Sequence, residues 1–136
     1  MKSVLLDTNI ILRFLLDDHP HHSPAATNLF MKAEQGEIKL VIDPMIVAEC
    51  CYVLEGQVYQ FPKELIASHL IPVLTHEGVQ CEGLMTVLDG LDIYVEHRLE
   101  FADAYLIALA RNHRFEVATF DNKMARIANA VFQDLL

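Results

Sequence analysis

Apolar positions along the chain alternate between short continuous runs and longer stretches at helical spacing. Ser3-Val4-Leu5-Leu6 is a short apolar run closed by Asp7-Thr8-Asn9, after which Ile10, Ile11, Phe14 and Leu15 recur every three to four residues. That pattern predicts a buried strand, a turn and a helix. Residues 17–24 are a loop rich in His, Asp and Pro, and Ser23 with Pro24 marks the start of a helix running through Met31, which Gly36 ends. Lys39-Leu40-Val41-Ile42 is a second buried strand. Asp43-Pro44 supplies an N-cap and a first-turn proline for a helix reaching about Leu54. Phe61-Pro62-Lys63-Glu64 opens the next helix, with Leu65, Ile66, His69 and Leu70 in register and Pro72 bending or ending it. Val79-Gln80-Cys81 is a third, weaker strand. Leu84, Val87, Leu88, Leu91, Tyr94 and Val95 mark an amphipathic helix in spite of Gly90, and residues 101–112 form a helix apolar on nearly every side. Residues 115–120 read as a final strand closed by Asp121, with a short helix after it.

Strands separated by helices rather than hairpin turns pair in parallel through right-handed crossovers. The expected class is α/β, with a central, mostly parallel sheet of four to five strands and helices on both faces. In such sheets ligands bind outside the carboxyl ends of the strands, so the residues that follow each strand matter most.

Composition narrows the classes. With 136 residues and 53% hydrophobic content, one domain spanning 1–136 is expected and disorder is excluded. No apolar run approaches the roughly 18 residues that cross a bilayer, and Asp7 interrupts the first run too early for a signal-peptide core, so the expectation is a soluble cytoplasmic protein with no membrane partner. Cys50, Cys51 and Cys81 are odd in number and two are adjacent, which fits reduced, buried thiols rather than a disulfide framework. Ten basic against nineteen acidic residues leave a net charge of −9, which excludes adhesion to nucleic acid through bulk charge. The mean hydropathy of +0.27 favours apolar surface shared with a second copy or a partner.

Four acids stand out. Asp7 follows the first strand and Asp121 the last, and each is either a helix N-cap or a carboxylate presented at the functional edge of the sheet. Glu49 is the one ionisable residue between Met45 and Leu54, and is either compensated in the interior or on a narrow solvated edge of its helix. Asp103 interrupts residues 101–110 near the helix start, where the macrodipole also favours an acid. Four clustered carboxylates repel one another unless a cation sits among them, and an oxygen-only set suits Mg²⁺ or Mn²⁺. The chemistry such clusters support is metal-assisted phosphodiester cleavage, one ion activating water and a second, about 4 Å away, steadying the leaving oxygen.

Leu6-Asp7-Thr8-Asn9, Val47-Ala48-Glu49-Cys50, Phe101-Ala102-Asp103-Ala104 and Thr119-Phe120-Asp121 resemble, in order and spacing, the four acidic motifs of PIN-domain nucleases, and the chain length resembles the VapC-type toxins of toxin–antitoxin pairs. The resemblance implies a PIN-like three-layer fold and a Mg²⁺- or Mn²⁺-dependent endoribonuclease acting on single-stranded or structured RNA. It further implies a homodimer, and a cognate antitoxin that blocks the acidic pocket. It assigns Asp7, Glu49 and Asp103 to the main metal centre and Asp121 to a second metal or its water, with Thr8, Asn9 and Thr119 shaping the pocket. A non-catalytic PIN-like scaffold that binds RNA or protein is the rival reading.

Other clusters carry less. His19, His21 and His22 lie in a proline-broken loop that fixes no coordination geometry. Arg98, Arg111, Arg114, Lys123 and Arg126 concentrate in the last third, where they either hold phosphates or are ordinary surface charge. Arg13 interrupts an apolar helix just after Asp7 and either faces the pocket or snorkels outward. A phosphorylation-receiver domain would need paired acids after its first strand, and a haloacid-dehalogenase-type phosphatase an aspartate where Asn9 stands.

Overall fold

The structure is a computed structural model that describes residues 1–128. Among these the chain runs β1 (Lys2–Leu5), α1 (Thr8–Leu16), α2 (His22–Glu34), β2 (Ile38–Ile42), α3 (Pro44–Glu55), α4 (Lys63–Leu74), β3 (Val79–Cys81), α5 (Leu84–His97), α6 (Phe101–His113) and α7 (Asn122–Ala128). It divides into two compact units, Met1–Leu84 and the chain from Met85 onward. The end of the expected domain, 129–136, lies outside the described residues.

In the first unit β2 is the central strand, parallel to β1 on one side and β3 on the other. The parallel direction follows from the helices between the strands, which leave no room for a hairpin. Leu5 pairs with Val41 and Val41 with Gln80, while Ile42 pairs with Cys81. Because side chains alternate, Leu40, Ile42 and Cys81 share a buried face, and Ser3, Leu5, Lys39 and Gln80 share an exposed one. β1, expected to be buried, is an edge strand with largely exposed residues. α2 packs against β2, α4 against β3, and α1 against both α2 and α3.

Among the described residues the sheet has three strands, not four to five. The missing strand is residues 115–120, which belong to no ladder. Arg114 adopts the left-handed conformation at the end of α6, and the Phe115 amide donates to the Ala110 carbonyl at 2.8 Å, so the chain is spent on closing the helix where the strand was expected to begin.

Helix starts follow local chemistry closely. Asp43 caps α3 and Pro44 opens it, as the sequence predicts. α2 departs: Ser23 is buried inside the helix, and its Oγ accepts the His19 amide at 3.1 Å. The cap is the His19 ring, whose Nδ1 accepts the amides of His21 and His22, while its face stacks on the His22 ring at 4.0 Å. Pro72 does not end α4 at once; the helix continues to Leu74. Gly78 is required where it is, since its φ is +85° and a Cβ there would collide with the Ala33 backbone.

The second unit is helical. Gly90, unexpected in a helix interior, marks where α5 and α6 approach: a Cβ would sit 3.3 Å from the Tyr105 Cα and 3.4 Å from the Phe101 ring. Tyr94 is buried edge-on to Phe101, and Asn112 of α6 donates to Thr86 and Asp89 of α5.

Candidate active site

Asp7 ends the β1 segment in extended conformation and N-caps α1, its Oδ1 accepting the Thr8 amide at 2.8 Å. Thr8 follows it into the interior at 4% exposure, and its Oγ1 is the buried side-chain polar atom that has no hydrogen-bond partner among the described residues. Such a hydroxyl costs about 1–3 kcal/mol if nothing satisfies it. Asn9, next in line, is exposed.

α3 explains the placement of Glu49. Ile46, Val47, Cys50, Cys51 and Leu54 form its buried side, which turns Met45, Glu49 and Tyr52 outward at i, i+4 and i+7. The carboxylate is therefore solvated, and the compensation that an interior position would have demanded is not needed. Cys50 lies directly behind it, and its thiol is pushed up to about 12, first by burial, then by Cys51, and then by the charges of Glu49 and Asp7. Two acids from different elements thus act on one buried sulfur, as the packing of α1 against α3 allows.

In the second unit Asp103 is half-buried in the first turn of α6. Asp121 is exposed and caps α7, its Oδ1 accepting the Met124 amide at 2.8 Å. Thr119 organises that turn, its Oγ1 accepting the Asp121 amide at 3.0 Å. Among the described residues no group of three or more His, Cys, Asp or Glu side chains is arranged to hold a metal ion. Arg13 reaches outward from α1 to an exposed acid. Its guanidinium pairs with Asp18 at 2.6 Å and donates to the Tyr59 hydroxyl at 3.2 Å, tying the end of α1 to the α3–α4 connection.

The PIN domain matches residues 4–130. The chain belongs to the PIN domain family. No curated protein matches it. PIN domains are generally nucleases and generally use divalent metals, which makes this one a hydrolase of nucleic acid at the level the family supports. None of its described helices is long and apolar enough to cross a membrane.

The donor set of this PIN domain fits a hard divalent cation. Mg²⁺ is usually held by one or two carboxylates and keeps several waters, so it needs no closed protein cage. Asp7 and Glu49 are exposed carboxylates of that kind, and the unpartnered Thr8 hydroxyl next to Asp7 is a group that a bound water or phosphoryl oxygen would satisfy. Sequence reasoning missed the His19 cap and the outward turn of Tyr52. The first has no sequence signal, while the second follows from laying residues 45–54 on a helical wheel.

Proposed function

We propose that the protein is a metal-dependent endoribonuclease that cuts single-stranded RNA, and the toxin of a toxin–antitoxin pair in the cytoplasm. The carrying observation is the PIN domain match over residues 4–130, supported by exposed Asp7 and Glu49 at α1 and α3, which pack together, and by the unpartnered Thr8 hydroxyl next to Asp7. When bound, the two ions supply an activated water and stabilise the leaving oxygen. Asp7 and Glu49 would hold the cation, and Asp103 and Asp121 are proposed as ligands from the resemblance of their motifs alone. The Thr8 hydroxyl and the exposed Asn9 amide orient phosphoryl oxygens. Hydrolysis adds water across the bond from phosphorus to the 3′ oxygen and leaves a 5′-phosphate and a 3′-hydroxyl.

The partner follows from charge. A carboxylate pocket on a protein of net charge −9 is matched by an arginine, whose planar fork pairs bidentately with Asp7 or Asp103. The antitoxin of this proposal inserts such a side chain in competition with metal, and a second copy of the chain covers apolar surface. One observation favours the rival scaffold reading, the lack among the described residues of a three-ligand metal group. Cleavage of single-stranded RNA by the pure protein decides between them. Cutting with Mg²⁺ or Mn²⁺ that stops in EDTA supports the nuclease; cutting that persists in EDTA, or none with either ion, overturns it.

A further inference from the structure

Tyr52 is 79% exposed on a rigid helix, three residues beyond Glu49, and Met45 on the other side of that carboxylate is 69% exposed. Neighbours at this spacing stand roughly 5–6 Å apart at Cβ, so the tyrosine ring and the carboxylate share one stretch of surface. The packing of α3 does not use the ring, because its core contacts come from Ile46, Val47, Cys50, Cys51 and Leu54. The protein also has an unusual difficulty for a nuclease. At net charge −9 it gains nothing from bulk charge in collecting a polyanion, so a contact indifferent to charge adds affinity where the overall field does not. Base stacking on an exposed aromatic is such a contact, and it tolerates any sequence because every base has a π-face.

We propose that Tyr52 is a substrate-positioning residue on which a nucleobase of single-stranded RNA stacks, setting the adjoining phosphate at Glu49, with Met45 as the apolar rim of the same platform. This rests on the ribonuclease reading and names how that site holds its substrate. The ring face supplies the affinity and the hydroxyl is dispensable, so Tyr52→Phe retains binding and Tyr52→Ala loses it.

The chain contains no tryptophan, so Tyr52→Trp places a single indole at the platform. Titrating that variant in EDTA with a short single-stranded oligoribonucleotide should quench its fluorescence saturably, whereas a duplex of the same sequence should not. In the metal-loaded enzyme Tyr52→Ala should raise KM about 5- to 100-fold with the loss falling on KM rather than kcat, and Tyr52→Phe should restore it. An unquenched indole, or a Tyr52→Ala KM equal to that of wild type, overturns the proposal. So does a Tyr52→Ala protein that passes from dimer to monomer with KM unchanged, which would make this face an interface between copies. Should wild type cut no RNA with any divalent ion, the ribonuclease reading falls by itself, and the quenching in EDTA still decides whether Tyr52 stacks on RNA.

Discussion

Two junctions in the first unit are built alike and differ in what surrounds them. Asp7 stands between β1 and α1 and Asp43 between β2 and α3, with backbone angles of φ −83°, ψ 159° and φ −82°, ψ 143°. Each caps its helix through an amide at 2.8 Å. Past the cap they diverge. Asp7 leads into the buried, unpartnered Thr8 hydroxyl, and its charge reaches Cys50 together with that of Glu49. Asp43 leads into Pro44, which has no amide to offer, and its charge reaches Cys81 along with that of Glu82. A strand-end aspartate that caps a helix is therefore no mark of chemistry in itself. Each aspartate shares its buried thiol with a second acid, so what distinguishes Asp7 is the polar atom left over beside it, the unpartnered Thr8 hydroxyl.

Amide substitution at both junctions should give the largest difference between them. Asn caps as well as Asp, so neither variant should melt more than about 0.5 kcal/mol below wild type. Asp7→Asn should lower RNA cleavage by orders of magnitude, and Asp43→Asn should leave it intact. Asp103→Asn should match Asp7→Asn, with Glu49→Gln next and Asp121→Asn least affected. Near wild-type cutting by both Asp7→Asn and Asp103→Asn would return the protein to the scaffold reading.

Metal binding comes second in size. A ligand at a hundred times its dissociation constant stabilises the native state by about 2.7 kcal/mol. Millimolar Mn²⁺ should raise the melting temperature of wild type and of Asp43→Asn, but much less that of Asp7→Asn. An equal rise in all three, followed by calorimetry, would place the ion elsewhere.

Removing the caps altogether should erase the difference. Asp7→Ala and Asp43→Ala each lose one charged cap and should each cost about 1 kcal/mol by urea denaturation at neutral pH without metal. A markedly larger loss at Asp7 would mean that its carboxylate has a structural role beyond the cap.

The smallest effects are in the thiols. Cys50 is pushed up to about 12 and Cys81 to about 11, burial being the largest cause in each. The unfolded chain ionises near the ordinary value of 9.0, so above it the native state holds protons the unfolded state has lost. Stability should fall as pH rises from about 9 towards 11 and 12, and remain whole below that window. The native thiols should resist alkylation at pH 8. Asp7→Asn and Glu49→Gln should each let Cys50 ionise at lower pH and leave Cys81 unchanged, while Asp43→Asn should do the reverse. Titration of thiolate absorbance reads both.

The contrast between the junctions also shows how far sequence reasoning reaches. Asp43-Pro44 announces a helix start because a cap and a ring-locked φ act within two residues, and α3 begins there. The same reasoning fails at Ser23, where the cap signal is present but the ring of His19 reaches the amides first. The four acidic motifs were legible by order and spacing. That both Asp7 and Glu49 raise the Cys50 thiol was not, because it depends on the packing of α1 on α3.

Sequence alone sufficed for the order of helices and strands up to β3, the parallel pairing of the strands before residue 84, the three buried cysteines without a disulfide, and the family to which the chain belongs. These follow from capping, periodicity and composition, which act over a few residues. Tertiary structure alone decided that residues 115–120 close a helix rather than join the sheet, that Arg13 is held by Asp18 and Tyr59, that Gly90 makes room for Tyr105, and that Glu49 faces solvent beside Tyr52. Each depends on a partner distant in the chain: an apolar run is a strand only if an edge is free to pair with it, and a carboxylate is buried only if another element covers its side of the helix.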